Sequence, residues 1–261
     1  MHTFARYGGT VRVAVFSDVH AQADALRAVM AAAVDAPVDE LWSLGDLVGG
    51  GPDAVDVVGL VRAYCRVALA GNHDYIATGS ADASRLGAVA QRSSELAAEL
   101  LTASGDVDWL RSRRPAARRA GVQCWHASPR HPVHEYVGRA NAAACLERQR
   151  AGIGLVGHTH VPAAWRAEPD GTATSVEVRA DRPLDLKGAK WLLNPGAVGA
   201  PAALRGDWWA ALAEHADEGA WWLELDLDER VATWRRAPFR SAPARARAVA
   251  LGLADPVPAG V

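Results

Sequence analysis

Three short apolar runs near the N-terminus each stop at a small polar block. Val11–Phe16 ends in Ser17-Asp18-Val19-His20, Leu41–Leu44 in Gly45-Asp46, and Arg66–Ala70 in Gly71-Asn72-His73-Asp74. The intervals from His20 to Asp46 and from Asp46 to Asn72 are both 26 residues, about one strand plus one helix. Between the runs, residues 23–34 and 53–64 carry apolar side chains at helical spacing, the second led by the start signal Pro52-Asp53. A βαβαβ order implies parallel strands joined by right-handed crossovers. It also collects the polar blocks at the strand ends, where open α/β sheets take their ligands.

Further along, residues 84–150 are predicted to be mostly helical, interrupted by one strand at Val122–His126. Ile153–Val156 reads as another strand, running into Gly157-His158-Thr159-His160. The grammar then changes. Segments 174–180, 190–194, 208–213, 220–227 and 230–237 are rich in Trp, Leu and Val with turn residues between them, and they predict antiparallel strands of a second sheet packed on the first. Residues 241–253 alternate Ala and Arg and predict a surface helix, with the last residues loose. The whole of 1–261 is expected to form a single domain: a motif-bearing core over about 11–200, then sheet strands and the surface helix over 205–253. Ten tryptophans, most of them after residue 160, predict a wide aromatic core between sheets. Arg111, Arg113, Arg114, Arg118 and Arg119 read as a solvated basic face.

Composition narrows the class. Half of the residues are hydrophobic and 22% are charged, which suits a soluble globular chain and excludes disorder. A net charge of -2 offers no general attraction to nucleic acid or an anionic membrane. Cys65, Cys124 and Cys145 are widely spaced and odd in number, as expected of reduced thiols. No run approaches the ~20 apolar residues of a membrane helix, and Met1–Tyr7 lacks the apolar core of a signal peptide. The expected location is the cytoplasm.

Asp18, His20, Asp46, Asn72, His126, His158 and His160 all fall at or just beyond predicted strand ends. Two carboxylates and four imidazoles gathered in one crevice would be costly to bury without a partner, and a metal supplies one. Seven donors exceed the needs of one ion and suit two that share a ligand. Carboxylate, imidazole and amide oxygen without thiolate favour Mn, Fe or Zn over Ca or Cu(I). Asp46, central in the order and beside Gly45, is best placed to bridge.

The blocks Asp18-Val19-His20, Gly45-Asp46-Leu47-Val48-Gly49, Gly71-Asn72-His73-Asp74, His126 and Gly157-His158-Thr159-His160 resemble those of the calcineurin-like metallophosphoesterases, in the same order. Asn194-Pro195-Gly196-Ala197-Val198-Gly199 and His126-Ala127-Ser128-Pro129 resemble its small bacterial, phosphodiesterase-like branch. The resemblance implies an α/β fold, a four-layer αββα sandwich of two mixed sheets flanked by helices. It implies one divalent ion held by Asp18, His20, Asp46 and His160 and a second held by Asp46, Asn72, His126 and His158, with Mn expected to support activity. His73 would face the substrate as general acid or phosphate contact, and Asp74 would cap the following turn. The implied activity is phosphoester hydrolysis by a metal-activated hydroxide, on a small phosphoester or nucleotide.

Many family members carry Asp and then Arg where this chain has Gly49 and Gly50. The loss turns the reading away from protein phosphatases and dinucleoside tetraphosphatases. It removes a clamp for a phosphomonoester dianion, and glycine would leave room for the second arm of a diester, so phosphodiesters are the favoured substrates. Arg130 and His131 are the candidates for replacement substrate contacts. Alternatives are a phosphomonoesterase, a protein or nucleotide phosphatase, a nuclease, or a non-catalytic interaction scaffold of the same fold. No membrane partner and no nucleic acid are expected, and the oligomeric state is left open.

Overall fold

The computed structural model describes residues 11–84, 88–199, 215–216 and 218–254. The predicted βαβαβ start is present: β1 (Arg12–Phe16), α1 (Ala23–Asp35), β2 (Glu40–Ser43), α2 (Ala54–Tyr64) and β3 (Cys65–Ala68), with β1, β2 and β3 parallel neighbours. Strand β1 is apolar on both faces, as a strand covered on both sides must be. Val13 and Val15 point toward the other sheet, while Ala14 and Phe16 point toward helices.

The middle of the chain differs from expectation. It holds α3 (Asn72–Ala77), α4 (Ala88–Ser104), α5 (Val107–Arg111) and α6 (Ala142–Arg148), but also a hairpin of β4 (Ala116–Arg119) and β5 (Val122–Trp125). Its turn is Ala120-Gly121, both with positive φ, the conformation that suits the twist of a two-residue hairpin. Arg118 and Arg119 therefore lie on an edge strand.

Next come β6 (Ile153–Leu155), β7 (Ala163–Ala167), β8 (Ala173–Val176), β9 (Leu184–Asp185), β10 (Trp191–Asn194), β11 (Ala220–Asp226), β12 (Val231–Ala237) and a final helix α7 (Ala242–Ala250). Strands β7 and β9 were not foreseen, and the strand predicted at 208–213 lies outside the described residues.

Among the described residues the strands form two mixed six-stranded sheets, β3-β2-β1-β11-β12-β9 and β4-β5-β6-β10-β7-β8. One core lies between the sheets, built around Val15, Trp42, Leu155, Trp191 and Trp234. A second joins the first sheet to α1, α2, α4 and α5 through Phe16, Leu26, Val58, Leu101 and Trp222. A third joins the second sheet to α6 through Trp125, Cys145, Leu146 and Trp165. This is the four-layer αββα arrangement. The buried tryptophans are spread over all three interfaces, where the sequence suggested one aromatic layer. No helix among the described residues is long and apolar enough to cross a membrane. The three cysteines are free, and burial pushes their thiols upward, Cys124 to about 12 and Cys145 to about 11.

Candidate metal centre

Loops at the ends of β1, β2, β3, β5 and β6 meet on one side of the two sheets, held by main-chain hydrogen bonds. The amides of Asp18, Val19 and His20 donate to the carbonyls of Gly45 and Asp46, at 2.9–3.0 Å. Gly157 N–H donates to His126 O at 2.7 Å, and Gly199 N–H donates to Asp18 O at 3.0 Å. Asp18, His20, Asp46, His158 and His160 all adopt left-handed backbone, with φ of 49–64°. Each such residue costs about 1–2 kcal/mol, and strain of this kind gathers where function needs a side chain aimed against local preference.

Two groups of side chains result. Asp18, His20 and His160 present ligand-type atoms to one another, and so do Asp46, His126 and His158. Asp46 joins the two: its Oδ2 lies 3.8 Å from His20 Nε2 and 3.6 Å from His126 Nε2. Its Oδ1 accepts the His73 amide at 2.9 Å. Asn72 Oδ1 stands 3.2 Å from His126 Nε2. His20 Nδ1 is 3.1 Å from Gly49 O, and His126 Nδ1 is 3.1 Å from Leu44 O. Proton donation to those carbonyls leaves both Nε2 atoms with a lone pair facing the crevice, the tautomer that binds metal.

The residues fit divalent ions. His158 Nε2 is buried without a hydrogen-bond partner. His20 Nε2 and His160 Nε2 are 3.1 Å apart, the separation of two nitrogens each about 2.1 Å from one ion at nearly a right angle. Burial, with His73 beside it, lowers His20 to about 3, and burial with His126 lowers His158 to about 4. Both imidazoles are therefore neutral, the form that ligates. Burial works to raise Asp18 and Asp46, yet His160 holds Asp18 below the ordinary carboxylate range, and His126, His73 and His20 do the same for Asp46.

His73 sits against this crevice. Its ring meets that of His20 edge-on at 4.9 Å, and one of its nitrogens lies with His20 and Asp46 in a further cluster. Its Nδ1 is buried against Gly49, where a Cβ would stand 2.6 Å from that nitrogen. The space expected beside Gly49 is thus filled by the imidazole. Arg130 and His131 are exposed on the loop after β5 and belong to neither Asp/His cluster. Both of their amides donate to Ser128 Oγ, and the Arg130 guanidinium pairs with Glu135 at 3.6 Å. His134 is exposed, His215 is buried against Val198 O, and His2 lies outside the described residues.

Three further side chains lie against these loops; of them the sequence singled out Asp74 alone, as a cap, and its bond from the Gly71 amide at the start of α3 fits that role. The buried Asp74 carboxylate accepts the amides of Leu47, Val48 and Gly71 at 2.8–3.1 Å, tying the Asp46 loop to the Asn72 loop. Burial and the nearby Asp46 push it well above the ordinary range, against the pull of those three donors. Asn194 Nδ2 donates to Gly157 O and Thr159 Oγ1, which clamps the His158–His160 loop. Tyr136, largely exposed, stacks on the His158 ring with centroids 4.1 Å apart and planes 21° apart.

Known proteins resemble this chain in sequence and fold. The family model for calcineurin-like phosphoesterases matches residues 11–162. An uncharacterised protein of Methanocaldococcus jannaschii, MJ0912, is 27% identical over 197 residues, covering 72% of this chain and 76% of that protein. A metallophosphoesterase from Sphaerobacter thermophilus superposes with a TM-score of 0.79 and 31% identity, over 95% of this chain and 96% of its own. Hypothetical protein PH1004 from Pyrococcus horikoshii shares the fold, with a TM-score of 0.71 and 14% identity over 94% of this chain and 95% of its own. With its Asp/His clusters at the strand ends that the matched region spans, the chain belongs to the calcineurin-like phosphoesterase family.

Proposed function

We propose that this chain is a two-metal phosphoesterase that favours phosphodiesters. The observation that carries the reading is the position of Asp46 Oδ2, between His20 Nε2 at 3.8 Å and His126 Nε2 at 3.6 Å. Asp18, His20, Asp46 and His160 would hold one divalent ion, and Asp46, Asn72, His126 and His158 the other. Bound there, the pair of ions would acidify a water and offset charge on the phosphoryl oxygens.

The chain's own residues supply the rest. His73, fixed through its amide to Asp46 Oδ1, stands beside the ligands and donates a proton to the departing ester oxygen as water adds to phosphorus. Asp74 and Asn194 hold the ligand loops in register. The diester preference rests on positive charge. Gly49 and Gly50 offer no side chain to clamp a dianion, and the Arg130 guanidinium is turned to Glu135, 3.6 Å away. A monoester dianion therefore lacks the bidentate arginine that suits it, whereas a diester monoanion needs it less.

The test compares kcat/KM for matched aryl diesters and monoesters in the presence of Mn. The expected result is a diester preference. A monoester preference of about tenfold, ~1.4 kcal/mol of transition-state stabilisation, would reassign the protein as a phosphatase.

A further inference from the structure

Tyr136 is exposed over 65% of its surface, yet its ring stacks on the imidazole of a candidate ligand. The loop around it is built to hold that position. Asn141 Nδ2 donates to Tyr136 O at 3.0 Å, and Gly138 N–H donates to Asn141 Oδ1 at 2.8 Å. The next residue, Val137, is buried in the core beneath the second sheet with Val156 and Trp165. A pinned backbone with a displayed ring is the reverse of what burial would select. One face of the ring is covered by His158, so the exposure belongs to its outer face and edge. Val161, directly after His160, is also exposed at 45%. Among the described residues only three large apolar side chains, Val34, Tyr136 and Val161, are at least 45% exposed, and the last two adjoin the two histidines of one ligand loop.

We propose that Tyr136 is a substrate-specificity residue whose outer face stacks on a planar ring joined to the phosphorus through a sugar-length spacer, as in nucleoside phosphates. The inference rests on the phosphoesterase reading of the same site and names its substrate class. An aromatic ring seated on that face lies one further stacking distance beyond Tyr136, on the side away from His158. A ring joined to the phosphate through a sugar has a longer reach from the phosphorus than one bonded directly to the phosphate oxygen. Stacking of this kind tolerates any base, because every base has a π-face. Preference for purine or pyrimidine is thus expected to be weak, and preference for a base over none to be clear.

The experiment is isothermal titration of the Mn-loaded full-length chain with the methyl diesters of adenosine 5′-monophosphate, ribose 5-phosphate and phenyl phosphate, with bound Mn measured on the same samples. Wild type is expected to bind the nucleotide about tenfold more tightly than either of the other two. Tyr136→Leu should erase that difference while keeping its Mn, and Tyr136→Trp should retain it. Equal affinities in wild type, binding of none of the three, or the same nucleotide advantage in Tyr136→Leu would overturn the proposal. So would loss of Mn from Tyr136→Leu, because the ring would then serve to buttress His158. Failure of the phosphoesterase reading registers separately, as an absence of hydrolysis on every ester, whatever these affinities are.

Discussion

Asp46 uses its two carboxylate oxygens differently, one accepting the His73 amide and the other facing His20 and His126. Asp46→Asn preserves size but removes the shared anionic donor. Bound metal should fall and turnover should drop at least about a hundredfold; normal turnover at full occupancy would contradict the role. His73→Ala should keep its metal and lose about two to four orders of magnitude in turnover. Loss of metal from that variant would make His73 a ligand. Gly49→Ala is the sharper steric test. Its Cβ would lie 2.6 Å from His73 Nδ1, on a backbone with φ of +82°. It should lower stability by roughly 1–3 kcal/mol and depress turnover, measured by thermal melts and steady-state rates. An unchanged melt would mean that the imidazole can leave that niche freely. At this scale the sequence was most legible where chemistry and spacing coincide: the Asp and His candidates fall at strand ends, and the fold collects them. It was least legible for Tyr136 and Asn194, and for the bonds of Asp74 beyond its cap, to Leu47 and Val48, whose partners are distant in sequence or depend on how a loop turns back. The glycine run misled in one respect. Glycine there admits a neighbouring side chain, whereas the sequence reading took it for open space.

Between elements, a polar clasp joins the two sheets at one edge. Glu40 of β2 accepts Arg119 Nε of β4 at 2.6 Å and Trp42 Nε1 at 2.9 Å. The Arg119 hydrogen bonds hold Glu40 below its ordinary value of 4.5. Because the folded pKa is the lower one, this contribution is full above about pH 4.5 and is lost as the pH falls through the folded value. Glu40→Gln should therefore cost about 1 kcal/mol near neutrality, a modest figure because both partners are partly exposed. The gap between wild-type and variant melts should narrow as the pH is taken below 4.5, and a gap constant with pH would show that the pair adds nothing electrostatic. Strand β4 escaped the sequence reading because Ala-Ala-Arg-Arg has little strand propensity, and its pairing with β5 overrides that. Helix α7 was legible as a helix, yet its attachment was not. Arg247 reaches both Asp53 and Asp24, at 2.6–2.7 Å, while Ala244 and Ala248 pack on Leu96 of α4.

At the scale of the whole molecule, the βαβαβ start and the later antiparallel strands were both readable, because each leaves its own hydrophobic period. How the layers share their aromatic residues was not, since a tryptophan on a strand fits either face of a sheet equally well. The two sheets matter to function because strands from both end at the same crevice: β1, β2 and β3 carry Asp18, His20, Asp46 and Asn72, while β5 and β6 carry His126, His158 and His160. Neither sheet alone supplies either of the two proposed ligand sets, so the centre reports on their correct packing. The most direct test of the account is the stoichiometry of Mn bound by the folded chain, measured by elemental analysis after equilibrium dialysis, for wild type and Asp46→Asn. Two ions per chain are expected in wild type and fewer than two in the variant. Wild-type occupancy of one or none, or two ions retained in Asp46→Asn, would contradict it.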